Sequence, residues 1–233
     1  MTHTGIRHVE SWFEQLDWLP MDFQKETWEA YAKGYSGVVN APTGSGKTYS
    51  VLLAVLADYI ENHKKDAFTA KPNQLKLIWI TPIKALAKEK EIDWTDPDHH
   101  FKDLKISICT GDYRFTPQRV KELDNSDVIV MTPEMLASRC RNATSERSNF
   151  LKEIGTIVFD ESHLLTVPSR GDHIEIALMK MTEINPNVRV VLLSATMPNV
   201  DEICHWVSKL TNRDTYFLES TYRPCPLGIN YEK

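Results

Sequence analysis

The sequence predicts an α/β domain with a mostly parallel central sheet and helices on both faces. Three observations lead there. Short β-branched and aliphatic runs recur at 36–40 (SGVVN), 75–81 (LKLIWIT), 105–110 (KISICT), 127–132 (DVIVMT), 156–159 (TIVF) and 188–194 (VRVVLLS). Segments of helical period lie between them, and polar motifs follow the strands directly. Continuous apolar strands alternating with helices indicate a parallel sheet covered on both faces. Such sheets bind ligands beyond the carboxyl ends of their strands.

Taken in order, residues 1–35 read as a helical lead-in and 36–221 as the α/β unit. After the first strand, Tyr49, Leu52, Leu53, Leu56 and Ile60 mark one stripe of a helix over 48–60. Pro82, at the end of the 75–81 strand, suits the first turn of a helix, IKALAKEKE. Ile174, Ala177, Leu178 and Met181 make a second stripe, and Val200, Ile203, Cys204, Val207 and Leu210 a third, in a helix over 197–210. The segments 92–101 and 141–148 read as polar loops. Residues 222–233 (YRPCPLGINYEK), with two prolines, read as a connector.

At 233 residues the chain can bury a sizeable core, and its 42% hydrophobic and 25% charged residues are ordinary for a globular protein. No apolar run approaches the ~20 residues of a membrane span, and the N-terminus has no secretory core. The four cysteines are scattered without a CxxC pair, which predicts a reduced, intracellular, metal-free set. A net charge of −5 argues against a broadly basic surface that coats nucleic acid, yet leaves room for one local groove.

The strongest motif is residues 41–48, APTGSGKT: Ala41, Pro42, Thr43, Gly44, Ser45, Gly46, Lys47 and Thr48. Glycines let successive backbone N–H groups converge on a phosphate, and the following helix adds its positive end. Lys47 supplies a charge for the β and γ phosphates, and Thr48 a hydroxyl for Mg²⁺. The 156–159 strand then delivers Asp160 and Glu161. One carboxylate, Asp160, is expected to hold the Mg²⁺ and the other, Glu161, to polarise the attacking water. Taken alone, an acidic pair after a strand is more often a solvated turn; the phosphate loop upstream gives it chemistry.

The motifs APTGSGKT, TPIKALAKE (81–89), TPE (132–134), DESH (160–163) and SAT (194–196) stand in the order seen in superfamily 2 helicases. The chain resembles that family over nearly its whole length. HLLTVPSRGDHIE, LSATMPN and STYRPCPL resemble its Ski-like DExH branch, and WFEQLDWLPMDFQKETW resembles the opening of large-helicase-related proteins. The resemblance implies the N-terminal RecA-like domain of an ATP-dependent helicase that uses ATP and Mg²⁺. It also implies single-stranded DNA, favoured over RNA, as partner, a second RecA-like domain after the connector, and a monomeric protein of the cytoplasm or nucleus.

Residue by residue, Gln24 resembles the glutamine that reads adenine, with Trp18 or Phe23 stacking on the base. The plainer reading is that Gln24 opens a helix whose Trp28 and Tyr31 are core. Thr81, Pro82, Lys84 and Ala85, with Gly111, Asp112, Thr132, Pro133 and Glu134, match segments that grip a nucleic-acid backbone. Each Thr-Pro is equally an ordinary helix start. Ser194, Ala195 and Thr196, with His163, match the link between the two sites; a polar strand end that caps the 197–210 helix is the alternative. No second-domain motif precedes Lys233, so weak hydrolysis by this chain alone is expected. A duplex translocase and a nucleotide-gated binding module are rival functions, whereas a metabolic P-loop kinase leaves SAT and the Thr-Pro pairs without a job. His99 and His100 beside Asp96 and Asp98 read as a solvated loop, and Trp79 as core.

Overall fold

The computed structural model describes residues 3–63, 76–82, 87, 104–111, 116–142, 146–166 and 170–222. Seven strands form one sheet: β1 (Ser36–Asn40), β2 (Leu77–Ile80), β3 (Ile106–Cys109), β4 (Val128–Met131), β5 (Thr156–Phe159), β6 (Arg189–Ser194) and β7 (Thr215–Glu219). Their order is β3-β4-β2-β5-β6-β1-β7, and every neighbouring pair is parallel. The described helices are α1 (Thr4–Gln15), α2 (Asp22–Ala32), α3 (Lys47–His63), α4 (Pro117–Asp124), α5 (Pro133–Arg141), α6 (Arg170–Ile184) and α7 (Val200–Thr211).

The strands are apolar on both faces because both faces are covered. Leu77, Trp79, Val128, Val130, Val158, Val191 and Leu193 belong to a core shared with α1, α2 and α3. Their alternates, Ile78, Ile80, Ile129, Met131, Ile157, Phe159, Val190 and Leu192, belong to a second core with α5, α6 and α7. The period-2 alternation of a strand distributes them in this way.

Helix α3 departs from the single apolar stripe that its sequence suggests. Residues 50–57 are all buried, because α1 and α2 pack across the face that would otherwise meet solvent. Val9, Trp12 and Phe13 of α1 and Phe23, Trp28 and Tyr31 of α2 join the same core.

Three expectations about elements are corrected. The last helix starts at Val200, not 197, with Asn199 in the left-handed region at its N-cap. The segment 141–148 is not simply a polar loop: α5 runs to Arg141, and a 3-10 helix begins at Glu146. Strand β7 was not expected. It sits at the sheet edge on β1 and is only partly covered, so it lacks a continuous apolar run.

The chain leaves β1 toward α3 on one face of the sheet, and leaves β6 toward α7 on the other. Neighbouring parallel strands whose connections depart to opposite faces open a crevice at their carboxyl ends. The crevice between β1 and β6 therefore fixes where a ligand has room to enter.

Candidate functional site

The loop 41–48 lies at that crevice. Ala41 is buried and its N–H donates to the Ser194 carbonyl at 2.9 Å, which ties the loop's start to the end of β6. Gly44 and Gly46 have φ of 77° and 83°, values that residues with a side chain rarely adopt. A Cβ on Gly46 would lie 2.7 Å from the Gln24 side chain, whereas one on Gly44 would meet open space. Gly46 is thus doubly constrained, by conformation and by contact. Ser45 holds the turn through its hydroxyl, which donates to the Pro42 carbonyl at 2.7 Å. Lys47 opens α3 and is 7% exposed, while Pro42 and Thr48 are half-buried and Thr43 is exposed.

Gln24 touches this loop. Its carbonyl accepts from the Met21 N–H at 2.9 Å, which closes the start of α2, and its amide donates to the Gly46 carbonyl at 3.3 Å. Gln24 does open the helix whose Trp28 and Tyr31 are core, and it also braces the loop. Phe23 is buried in the core; Trp18 is 48% exposed and packs edge-on against Trp12 and Phe13.

Asp160 and Glu161 follow β5, one strand beyond β6, and both are half-buried. Glu161 has a φ of 55°, in the left-handed region, where a residue other than glycine is held only by its surroundings. The Glu161 N–H donates to Asp160 Oδ1 at 3.1 Å, and the Asp160 N–H to the Ile80 carbonyl at 2.8 Å. Ser162 Oγ donates to the Leu193 carbonyl at 2.9 Å, so the turn is anchored on β6 as well. His163 Nδ1 lies 3.4 Å from Glu161 Oε2.

Ser194 is fully buried and spends its hydroxyl locally. Oγ donates to the Thr196 carbonyl at 2.6 Å and accepts from the Thr196 N–H at 3.2 Å. This closed turn serves β6 itself and does not cap α7, whose N-cap is Asn199; Ala195 is half-buried within it. The capping alternative for 194–196 is therefore overturned.

Thr81 and Thr132 end β2 and β4, which are neighbours; the Thr81 N–H donates to the Met131 carbonyl at 3.0 Å. Among the described residues, the buried Thr81 hydroxyl has no hydrogen-bond partner. Thr132 stands at the N-cap of α5, with Pro133 buried behind it and Glu134 in the first turn, yet its side chain makes no cap hydrogen bond. Pro82 is half-buried and Gly111 exposed. Lys84, Ala85 and Asp112 lie outside the described residues, as do Asp96, Asp98, His99 and His100.

Motif reading missed one residue. Trp79 is fully buried on β2, as expected of core, but its indole N–H donates to Asp160 Oδ2 at 3.3 Å. A tryptophan inside an apolar run carries no sequence mark of a polar partner. The pairing of β2 with β5, Trp79 opposite Val158, could have suggested it.

Among the described residues, no group of three His, Cys, Asp or Glu side chains could hold a metal, and no helix is long and apolar enough to cross a membrane. The Thr48 hydroxyl and the Asp160 carboxylate are hard oxygen donors at the carboxyl ends of the strands. One or two such oxygens, completed by phosphates and water, suit Mg²⁺.

A glycine-rich loop between β1 and α3, with an acidic turn two strands away, defines a phosphate-loop nucleotide-binding domain. The comparisons narrow the class. Residues 21–203 match the model of the DEAD/DEAH box helicase family, and the chain belongs to that family. It is 30% identical over 222 residues to the antiviral helicase SKI2 of Saccharomyces cerevisiae, covering 95% of this chain and 15% of that protein. It is 31% identical over 217 residues to the ATP-dependent DNA helicase Hel308 of Thermoplasma volcanium, covering 93% and 28%. Among solved structures, the Mycobacterium smegmatis helicase Lhr bound to single-stranded DNA and AMP-PNP superposes with a TM-score of 0.72 at 26% identity, over 90% of this chain and 27% of that one. The chain thus spans less than a third of the length of these relatives. Its fold is that of their RecA-like helicase domains.

Proposed function

We propose that this chain is the first motor domain of an ATP-dependent helicase and that it binds ATP–Mg²⁺ and single-stranded nucleic acid, with DNA preferred to RNA. The observation that carries the reading is the left-handed Gly44–Gly46 loop joined at Ser194 to the strand beside Asp160 and Glu161. In this reading the loop N–H groups and Lys47 hold the phosphates, and Gln24 reads adenine while it braces Gly46. Thr48 and Asp160 hold Mg²⁺, which when bound offsets the charge of the β and γ phosphates. Glu161 accepts the proton of the attacking water, and His163 keeps its carboxylate at the turn.

Hydroxyls and helix starts at Thr81, Pro82, Thr132, Pro133 and Glu134, with Lys84, Ala85, Gly111 and Asp112, would hold the backbone of the strand without reading its bases. Ser194, Ala195 and Thr196 would link the two sites, since β6 carries the loop on one side and the acidic turn on the other. An arginine from a second RecA-like domain would complete the transition state, so this chain alone is expected to turn ATP over slowly. The preference for DNA is supported by the likeness to a DNA helicase and to a helicase solved with single-stranded DNA.

The test is ATP turnover by the complete protein with single-stranded DNA or RNA. Stimulation by DNA, lost in Glu161→Gln, is expected. Stimulation by RNA alone would reverse the preference, and indifference to both would leave a nucleotide-gated module instead. Turnover without strand release would mark a duplex translocase.

A further inference from the structure

We infer that Trp79 is a positioning residue for Asp160 and that its indole N–H fixes the carboxylate that takes the metal. The proposal rests on the nucleotide reading above.

The indole has one N–H to give and nothing with which to accept, so its contact requires an acceptor opposite. Trp79 is fully buried, and a buried N–H must be paired to avoid a desolvation cost. It is paired with Asp160 Oδ2 at 3.3 Å, while Oδ1 takes the Glu161 N–H at 3.1 Å. Each oxygen thus accepts from a different donor, and the two bear together on the plane of the carboxyl group.

The two donors differ in kind. The Glu161 N–H belongs to the same turn and moves with it. Trp79 is anchored elsewhere, in the middle of β2, between β4 and β5 in the sheet and within the core shared with α1, α2 and α3. A core of native density does not let a large ring shift. The bond thus references Asp160 to the sheet. Partners of this kind orient a metal's ligands, and their removal typically costs about 10- to 100-fold in metal affinity or activity.

The experiment uses the 233-residue chain and a fluorescent non-hydrolysable ATP analogue, titrated with and without Mg²⁺. Lys47→Ala is expected to weaken binding in both conditions. Asp160→Asn is expected to abolish the gain in affinity that Mg²⁺ brings. Trp79→Phe, which keeps an aromatic ring and removes the donor, is expected to reduce that gain about 10-fold and to leave Mg²⁺-free binding unchanged. The unsubstituted chain gives a second readout that needs no variant to fold. The ¹⁵N-labelled Trp79 indole resonance is expected to move when Mg²⁺ joins the analogue-bound chain, and to stay in place in Asp160→Asn.

If Trp79→Phe keeps the whole Mg²⁺ gain while Asp160→Asn loses it, or if the indole resonance does not respond, the positioning role is overturned and the nucleotide reading stands. If Lys47→Ala and Asp160→Asn both bind like the parent, the nucleotide reading falls and the proposal with it.

Discussion

The two ends of the same parallel strands treat polar groups in opposite ways. At the amino ends they are consumed by one another. The Tyr31 hydroxyl and Thr156 Oγ1 are 2.5 Å apart, and the Arg189 guanidinium lies 4.4 Å over the Tyr31 ring and 3.3 Å from Asp58. Ser36 Oγ donates to Thr211 Oγ1 at 3.2 Å and accepts from the Val190 N–H at 3.2 Å. The buried Lys76 donates to the Asp124 carbonyl and pairs with Glu153. At the carboxyl ends the backbone enters left-handed turns at Gly44, Gly46 and Glu161, and the carboxylates stay half-open. At one end the polar groups tie separate elements together, and at the other they hold a loop and a turn in shape beside the crevice. Substitutions at the two ends are therefore expected to separate stability from function.

The largest effect is expected at the carboxyl end. On the proposed reading, Glu161→Gln in the complete protein lowers ATP turnover by about 10²- to 10⁴-fold, the usual worth of a positioned general base. ATP affinity and thermal unfolding are expected to stay close to the parent's, because the amide keeps the shape and the left-handed turn is held by the Asp160 acceptor. Turnover that survives would transfer the base to another residue.

The amino end is expected to show the reverse. Arg189→Leu takes the guanidinium away from Asp58 and removes the donor to the Tyr31 carbonyl, 3.1 Å away. Breaking a largely buried pair costs about 3–5 kcal/mol in unfolding free energy, while ATP affinity is expected to stay within about twofold, since distant sites couple weakly.

The deficit has a pH signature. Burial already pushes the Asp58 carboxyl above its ordinary value, against the pull of Arg189 and then His3. Without Arg189 it rises further. A carboxyl whose folded-state pKa lies above its unfolded one is favoured when protonated. The deficit of Arg189→Leu is therefore full above the folded pKa and shrinks as pH falls through it toward the unfolded value, near ~4. Urea titrations at pH 7 and pH 5 measure this; a deficit that grew at the lower pH would refute the account.

How far the sequence could be read also follows the difference between the two ends. The carboxyl end was legible because its chemistry sits in contiguous residues: 41–48, 160–163 and 194–196 are local strings whose spacing is imposed by a loop and two turns. The amino end was not legible at all. Tyr31, Asp58, Thr156 and Arg189 come from α2, α3, β5 and β6, and no local pattern joins them. Trp79 falls between the cases, since its apolar neighbours announce a strand and hide the hydrogen bond across β2 and β5. Six strands stood out as apolar runs. The seventh, TYFLE, did not, because an edge strand with Phe217 exposed and Tyr216 buried needs no such run.

The smallest effects come from two helix starts that look alike in sequence. Thr116–Pro117 and Thr132–Pro133 each place a threonine at the N-cap and a proline at the first helical position. Thr116 Oγ1 accepts from the Arg119 N–H at 3.2 Å and so caps α4. Thr132 makes no such bond, although it follows β4 at the carboxyl edge, next to Thr81 on β2. Replacement by valine keeps the branched shape and removes the hydroxyl. Thr116→Val is expected to cost about 1 kcal/mol of stability, the typical loss of a cap, and to leave binding untouched. Thr132→Val is expected to cost less than half of that and to weaken binding of a single-stranded oligonucleotide by about 2- to 10-fold, the worth of one neutral hydrogen bond. Fluorescence anisotropy and thermal unfolding on both variants measure the contrast. If Thr132→Val loses as much stability as Thr116→Val and binds the oligonucleotide unchanged, its hydroxyl serves only α5, and the nucleic-acid track does not run over the end of β4.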